Sequence, residues 1–253
     1  MLANKENNID SIWDQLSFPN TALLNKRVPK KLFFENCKLL SSDKKLLQEN
    51  IKSIYWKYTL KPSTCSLLPY TDNEREYLEI AVLEIELNSK KSYNRIFEII
   101  HRSIPYPLFL VCCFEKEFAL SIAPKRFSHL EHGAFVTEEI YQSDWLNTDN
   151  LQGYEEVFIN SLTWSNLSVQ NYNTLYSKWI EQFIAYECAI VSGNFVLDNI
   201  KERAESLNQY RAIENQISDL RRQFKKASFR EQVERNVQIK RLELELKELT
   251  RNI

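Results

Sequence analysis

Residues 77–123 read YLEIAVLEIELNSKKSYNRIFEIIHRSIPYPLFLVCCFEKEFALSIA, and the changes of period along them decide the fold. Over residues 77–87 the apolar set switches parity, with Ile80 and Val82 on one face of a strand and Leu83, Ile85 and Leu87 on the other. A strand that is apolar on both faces belongs inside a sheet with cover on both sides. Over residues 93–102 the spacing becomes helical, through Ile96, Phe97, Ile99 and Ile100. Pro105-Tyr-Pro107 then opens LFLVCCF, an uninterrupted apolar run that reads as a buried strand. Residues 118–123 return beside it as a hairpin through Glu115-Lys116-Glu117. Strand, helix, strand in this order predicts a crossover unit whose two strands run parallel.

Outward from this centre, residues 51–60 (IKSIYWKYTL) are rich in β-branched and aromatic side chains and read as another strand. Residues 30–36 and 42–49 read as short helices, the second capped by Ser41 or Ser42. Residues 62–76 form a loop, and residues 135–141 a further strand. Residues 1–28 read as a leader with one amphipathic helix around 9–16, punctuated by Pro19 and Pro29, an arm that packs on its own domain, with a docking peptide for a partner as the alternative. Residues 155–162 and 172–189 carry helical spacing, the latter through Leu175, Trp179, Phe183 and Tyr186. The expected class is α+β or α/β, a mixed sheet covered by helices.

Residues 201–253 contain neither Gly nor Pro. Tyr210, Ile213, Ile217, Leu220 and Phe224 repeat in steps of three and four, which is a heptad seam. Ser228-Phe-Arg-Glu231 has capping-box spacing, and Val233, Val237, Ile239, Leu242, Leu246 and Leu249 line the helix it opens. This predicts an antiparallel helical hairpin with its tip near residues 225–228. The domain reading is therefore an N-terminal arm (1–28), an α/β core (29–149), a helical region packed on it (150–200) and the C-terminal hairpin (201–253).

The composition of the 253 residues excludes some chemistry. Only three glycines occur, at 133, 153 and 193, so neither a Walker A loop nor a dinucleotide fingerprint is present. The five cysteines have no C-x-x-C spacing, and Cys112-Cys113 lies in an apolar run, as reduced core thiols do. No nucleophile elbow or kinase signature is found. The polar start, MLANKENNID, is unlike a secretory signal, and no apolar stretch reaches spanning length, so a cytoplasmic protein is expected. Net charge is −1, but residues 201–253 hold 13 basic against 9 acidic residues.

His129 and His132 are spaced for one helix face, yet Pro124 and Gly133 make their segment a loop. Glu84 and Glu86 share a strand face, with Glu79 and Asp72 upstream; such carboxylates hold Mg²⁺ in metal-dependent nucleases, with a lysine nearby. That lysine is missing locally, and solvated or interface carboxylates are the plainer reading. Arg221, Arg222, Lys225, Lys226 and Arg230 place five cations in ten residues at the hairpin tip. With Lys125 and Arg126 they are the candidate phosphate contacts; a solvated helix end is the alternative. Tyr210, Ile213, Ile217, Leu220, Phe224, Leu242, Leu246 and Leu249 are the candidate partner-binding residues. No catalytic residue, metal ligand or cofactor is assigned.

Several stretches in order are KKLFFENCKLLSSDKKLLQENIKSIYWKYTLKPST, EYLEIAVLEIEL, IIHRSIPYPLFLV, APKRF and VERNVQIKRLELELKEL. Together they resemble the bacterial and archaeal domain of unknown function family 4391, over roughly residues 20–253. Lys30, Phe33, Trp56, Glu79, Glu84, Glu86, Arg102, Pro105, Pro107, Lys125 and Arg126 match family-like positions. The family has no assigned catalytic activity, so the resemblance gives no role to any of these positions. Family members tend to be encoded beside helicases and DNA methyltransferases, in phage-defence or restriction–modification clusters. The expectation is a non-enzymatic accessory subunit that binds a larger protein, such as a helicase or methyltransferase, through its hairpin. A nucleic-acid binder or Mg²⁺-dependent nuclease subunit is the alternative, and self-association through the hairpin seam a third reading.

Overall fold

The computed structural model describes residues 9–36, 39–130, 133–224 and 228–253. Cys37, His132, Lys225 and Lys226 lie outside the described residues. The chain forms two compact units, Met1–Phe183 and Ile184–Ile253.

In the first unit, α1 (Ile9–Leu16) leads to β1 (Leu23–Arg27), and α2 (Lys31–Asn36) and α3 (Ser41–Asn50) precede β2 (Ile51–Leu60). A small hairpin of β3 (Tyr70–Thr71) and β4 (Glu76–Tyr77) comes next. Then follow β5 (Ile80–Leu87), α4 (Tyr93–Ser103), β6 (Leu108–Phe114) and β7 (Glu117–Ile122). β8 (Lys125–Phe127) pairs with β9 (Phe135–Thr137), while β10 (Tyr141–Gln142) and β11 (Leu146–Asn147) both pair with β7. The unit closes with α5 (Gly153–Leu162) and α6 (Tyr172–Ser192), whose residues from Ile184 onward count with the second unit.

The main sheet runs β1-β2-β5-β6-β7-β10. β5 and β6 are parallel through the α4 crossover, as the sequence predicts, and the other pairs are antiparallel. The parity switch along β5 is the mark of two cores. Ala81, Leu83, Ile85 and Leu87 pack with Ile96, Phe97 and Ile100 of α4 and Leu47 of α3. The opposite face is aromatic: Phe18 lies 5.8 Å from Phe109, and Phe109 lies 5.0 Å from Trp179 of α6. The Tyr176 hydroxyl donates to the Leu108 carbonyl (2.7 Å) and accepts the Ala123 N–H (2.8 Å), tying α6 to one end of β6 and β7. Burial raises that phenol's pKa well above its ordinary value.

α1 packs on the first unit, where Ile12 and Leu16 are fully buried, and the helical residues up to 183 belong to the same unit. Two strand expectations are corrected. The strand expected over 77–87 breaks at Leu78-Glu79, because Glu76 and Tyr77 pair with β3 rather than β2. The strand expected over 135–141 is two pieces on different sheets, parted where the Glu138 N–H bonds the Pro124 carbonyl at 3.0 Å. In addition, α3 starts from Leu40 with no side-chain cap; Asp43 in its first turn instead takes a two-pronged bond from Arg95 at 3.0 and 2.7 Å.

The second unit holds α7 (Ile200–Phe224) and α8 (Phe229–Thr250), the predicted hairpin. Among the described residues, no helix is long and apolar enough to cross a membrane.

Candidate functional site

Glu84 and Glu86 do not stand alone on β5. The missing lysines arrive across the strand pair from β2, which opposes β5 with two irregularities of register. Lys57 reaches Glu84 at 3.2 Å, and Lys52 reaches Glu86 at 2.5 Å, where the Ser53 hydroxyl donates as well at 3.0 Å. Glu84 also accepts the indole N–H of Trp13 at 2.6 Å, and the Lys57 ammonium lies 5.3 Å from that ring's centre. Each carboxylate is thus neutralised by its own ammonium, an arrangement suited to holding α1 and β2 against β5. Among the described residues, no group of three or more His, Cys, Asp or Glu side chains converges as a metal ion needs.

Lys125 is in the interior, 2% exposed, rather than on a surface facing a phosphate backbone. Its ammonium donates to the His101 carbonyl at the end of α4 and to the Thr137 hydroxyl of β9 (2.8 Å). Desolvation lowers its pKa from 10.5 to about 7. His101 is equally buried, and its Nε2 lies 3.0 Å from the Ser121 hydroxyl. Because that hydroxyl donates to the Tyr141 carbonyl at 2.9 Å, the ring nitrogen is its donor. Burial, then the Lys125 charge, holds the imidazole pKa well below its usual value. Arg126 is half-buried and lies 3.8 Å from Glu138. His129 lies in a bend, outside any helix.

The hairpin is built from two clusters. Ile213 and Ile217 of α7 pack with Ile239 of α8, joined by Leu220, Leu242, Leu246 and Leu249. Tyr210 packs with Cys188, Leu207 and Ile253. The seam residues expected to bind a partner are therefore occupied within the hairpin, because the chain doubles back and buries its own heptad face. Phe224, at the end of α7, is half-buried. The N-terminus of α8 has the expected reciprocal cap: the Glu231 carboxylate accepts the Ser228 N–H and hydroxyl, both at 2.7 Å, which lowers its pKa. Arg235 donates to the Gln223 carbonyl at 2.7 Å, a cation at the negative end of α7. The described arginines of the basic tip are each ion-paired: Arg221 with Glu243 (2.7 Å), Arg222 with Asp219, and Arg230 with Glu234 (3.1 Å).

What the sequence reading missed is the other face of α8. Phe229, Val233, Val237 and Leu244 are 83%, 49%, 66% and 63% exposed. Val233 and Val237 read as seam residues in sequence, but the seam enters α8 at Ile239. The signal was the step of two between Val237 and Ile239, which a single helix face does not allow. These four side chains leave apolar surface on the outside of a helix whose own seam is already filled.

Comparison of the chain with curated proteins and with solved structures gives no match. A family model described as a domain of unknown function, DUF4391, matches residues 16–246, nearly the whole length, and the chain belongs to that family.

Proposed function

We propose that this protein is a non-enzymatic accessory subunit, acting as a protein–protein interaction module in a bacterial anti-phage defence system. The first unit is its folded body. The C-terminal hairpin docks a larger protein, a helicase or DNA methyltransferase of the same system. The observation that carries this reading is the set of large apolar side chains left exposed on α8 after its seam is filled. The family's gene neighbourhood supports the choice of partner.

The test is a pull-down of the tagged full-length protein from its native host, with and without nuclease, read by mass spectrometry. A helicase or methyltransferase should be recovered despite nuclease. Deletion of residues 201–253 should abolish that recovery while the first unit keeps its circular dichroism. Recovery unchanged by the deletion defeats the proposal. Partners lost on nuclease treatment favour the nucleic-acid reading instead.

A further inference from the structure

The outer face of α8 specifies more than stickiness. Phe229, Val233 and Val237 follow one another at four-residue steps, and Leu244 lies seven beyond Val237. On a helix these spacings make one continuous stripe. From Phe229 to Leu244 it is about 22 Å long at 1.5 Å per residue. Among the described residues, nothing covers it: all four side chains are exposed.

Its flanks carry an excess of positive charge. Lys240 lies three residues after Val237 and four before Leu244, so it sits in the stripe itself. Arg241 lies four after Val237, and Lys247 three after Leu244. All three are exposed, and none has a partner among the described residues. Of the acids near the stripe, Glu234 is engaged by Arg230 at 3.1 Å, Glu243 by Arg221 at 2.7 Å and Glu248 by Arg251 at 2.9 Å, which leaves Glu245, four residues after Arg241, against the three cations. The surface is therefore an apolar strip with unpaired cations along it.

We infer that this face binds an amphipathic helix of a partner protein, with acidic residues flanking its apolar stripe, as the third helix of a coiled coil. Apolar side chains of the partner would fill the spaces between Val233, Val237 and Leu244. Its carboxylates would meet Lys240, Arg241 and Lys247, which sets partner choice as flanking charges do in coiled coils. A second copy of this chain fits less well, because it brings three more cations and only Glu245 to set against them. The inference rests on the hairpin's docking role proposed above and names the chemistry of what docks.

The probe is a fluorescein-labelled heptad peptide with leucine at core positions and glutamate at flanking ones, whose like charges oppose self-pairing. Its twin carries lysine in place of glutamate. Each is titrated into the full-length protein by fluorescence anisotropy. The acidic peptide should bind, weaken as salt rises, and exceed the lysine twin by about tenfold or more. The double variant Val237→Ser/Leu244→Ser removes only exposed side chains, so it should keep the helical signal and lose about tenfold in affinity. Lys240→Glu/Lys247→Glu should reverse the peptide preference. Equal affinity for both peptides, no binding of the acidic one, or binding indifferent to the serine variant each overturns the inference. So does a dimer in sedimentation that the serine variant dissolves, since the occupant is then a second copy. The docking role can survive these failures: a native partner lost on deletion of residues 201–253 but retained by the serine variant leaves the hairpin as the docking element and this face as the wrong one.

Discussion

Trp13 donates its indole N–H to the Glu84 carboxylate at 2.6 Å, a bond between α1 and the central strand β5 that spans 71 residues of sequence. The same carboxylate holds Lys57 at 3.2 Å, and all three groups are largely buried. A hydrogen bond to a charged group contributes about 1.5–3 kcal/mol. Trp13→Phe keeps an aromatic ring in place and removes that donor. It should lower the unfolding free energy of the first unit by about 2 kcal/mol, read from urea denaturation. A loss no greater than that of an exposed-surface substitution would show that α1 is held by its apolar side chains alone.

The same geometry bears on the nuclease reading. A Mg²⁺ ion at Glu84 and Glu86 has to displace Lys57 and Lys52 from those carboxylates. A ligand that binds only the folded state adds about 2.7 kcal/mol at a hundred times its Kd. We expect millimolar Mg²⁺ to leave the melting temperature where Na⁺ at equal ionic strength leaves it. Glu84→Gln should destabilise the protein without changing that comparison. A Mg²⁺-specific rise in melting temperature that Glu84→Gln abolishes would reinstate a metal site.

How far the fold was legible follows from where its information is local. The β5–α4–β6 crossover was readable because three changes of hydrophobic period lie within 47 contiguous residues. The hairpin was readable because its seam and its Ser228 cap are both local patterns. The burial of α1 was the preferred of two readings, since a short amphipathic helix looks the same whether it packs on its own domain or on a partner. The lysines beside Glu84 and Glu86 were not readable: they come from another strand, through a register that two bulges alter. Lys125 read as a surface cation because lysine is almost never fully buried. Its position after the apolar run that ends in Ala123-Pro124 was the one hint to the contrary.

If the hairpin is held by its own seam, its stability should answer to that seam and not to the outer stripe. Ile217 and Ile239 are nearly buried in one cluster. Replacing either by Ala should cost about 2 kcal/mol, at the low end for a core isoleucine because the hairpin core is thin. Val237→Ser, 66% exposed, should stay within about 0.5 kcal/mol, as surface substitutions do. Hydrogen exchange along α7 and α8 separates the two cases. Similar protection losses in all three variants would mean that the outer face is also packed in solution.

Lys125 gives the protein a stability that depends on pH in a way few lysines do. Its ammonium has hydrogen bonds to His101 and Thr137, and among the described residues no carboxylate pairs with it. Folding lowers its pKa from 10.5 to about 7, so between those limits the unfolded chain holds one proton more than the folded one. Stability contributed at this site therefore rises with pH across pH 7 to 10.5 and is lowest below pH 7, where the folded state must bury the charge. The buried tyrosines Tyr77 and Tyr176, whose pKa values burial raises, act in the opposite sense once the unfolded phenols ionise near pH 10, so the informative quantity is a difference. His101, held neutral, adds an acid limb: stability falls as pH drops below 6.5 and the unfolded imidazole protonates. Lys125→Met should be tolerated best near pH 6 and lose ground to the natural protein as pH rises from 7 to 9, by urea denaturation at each pH. Parallel stability curves for the two proteins over that range would mean that the lysine keeps its proton in the fold, and that its burial is relieved by water or an unseen counter-charge.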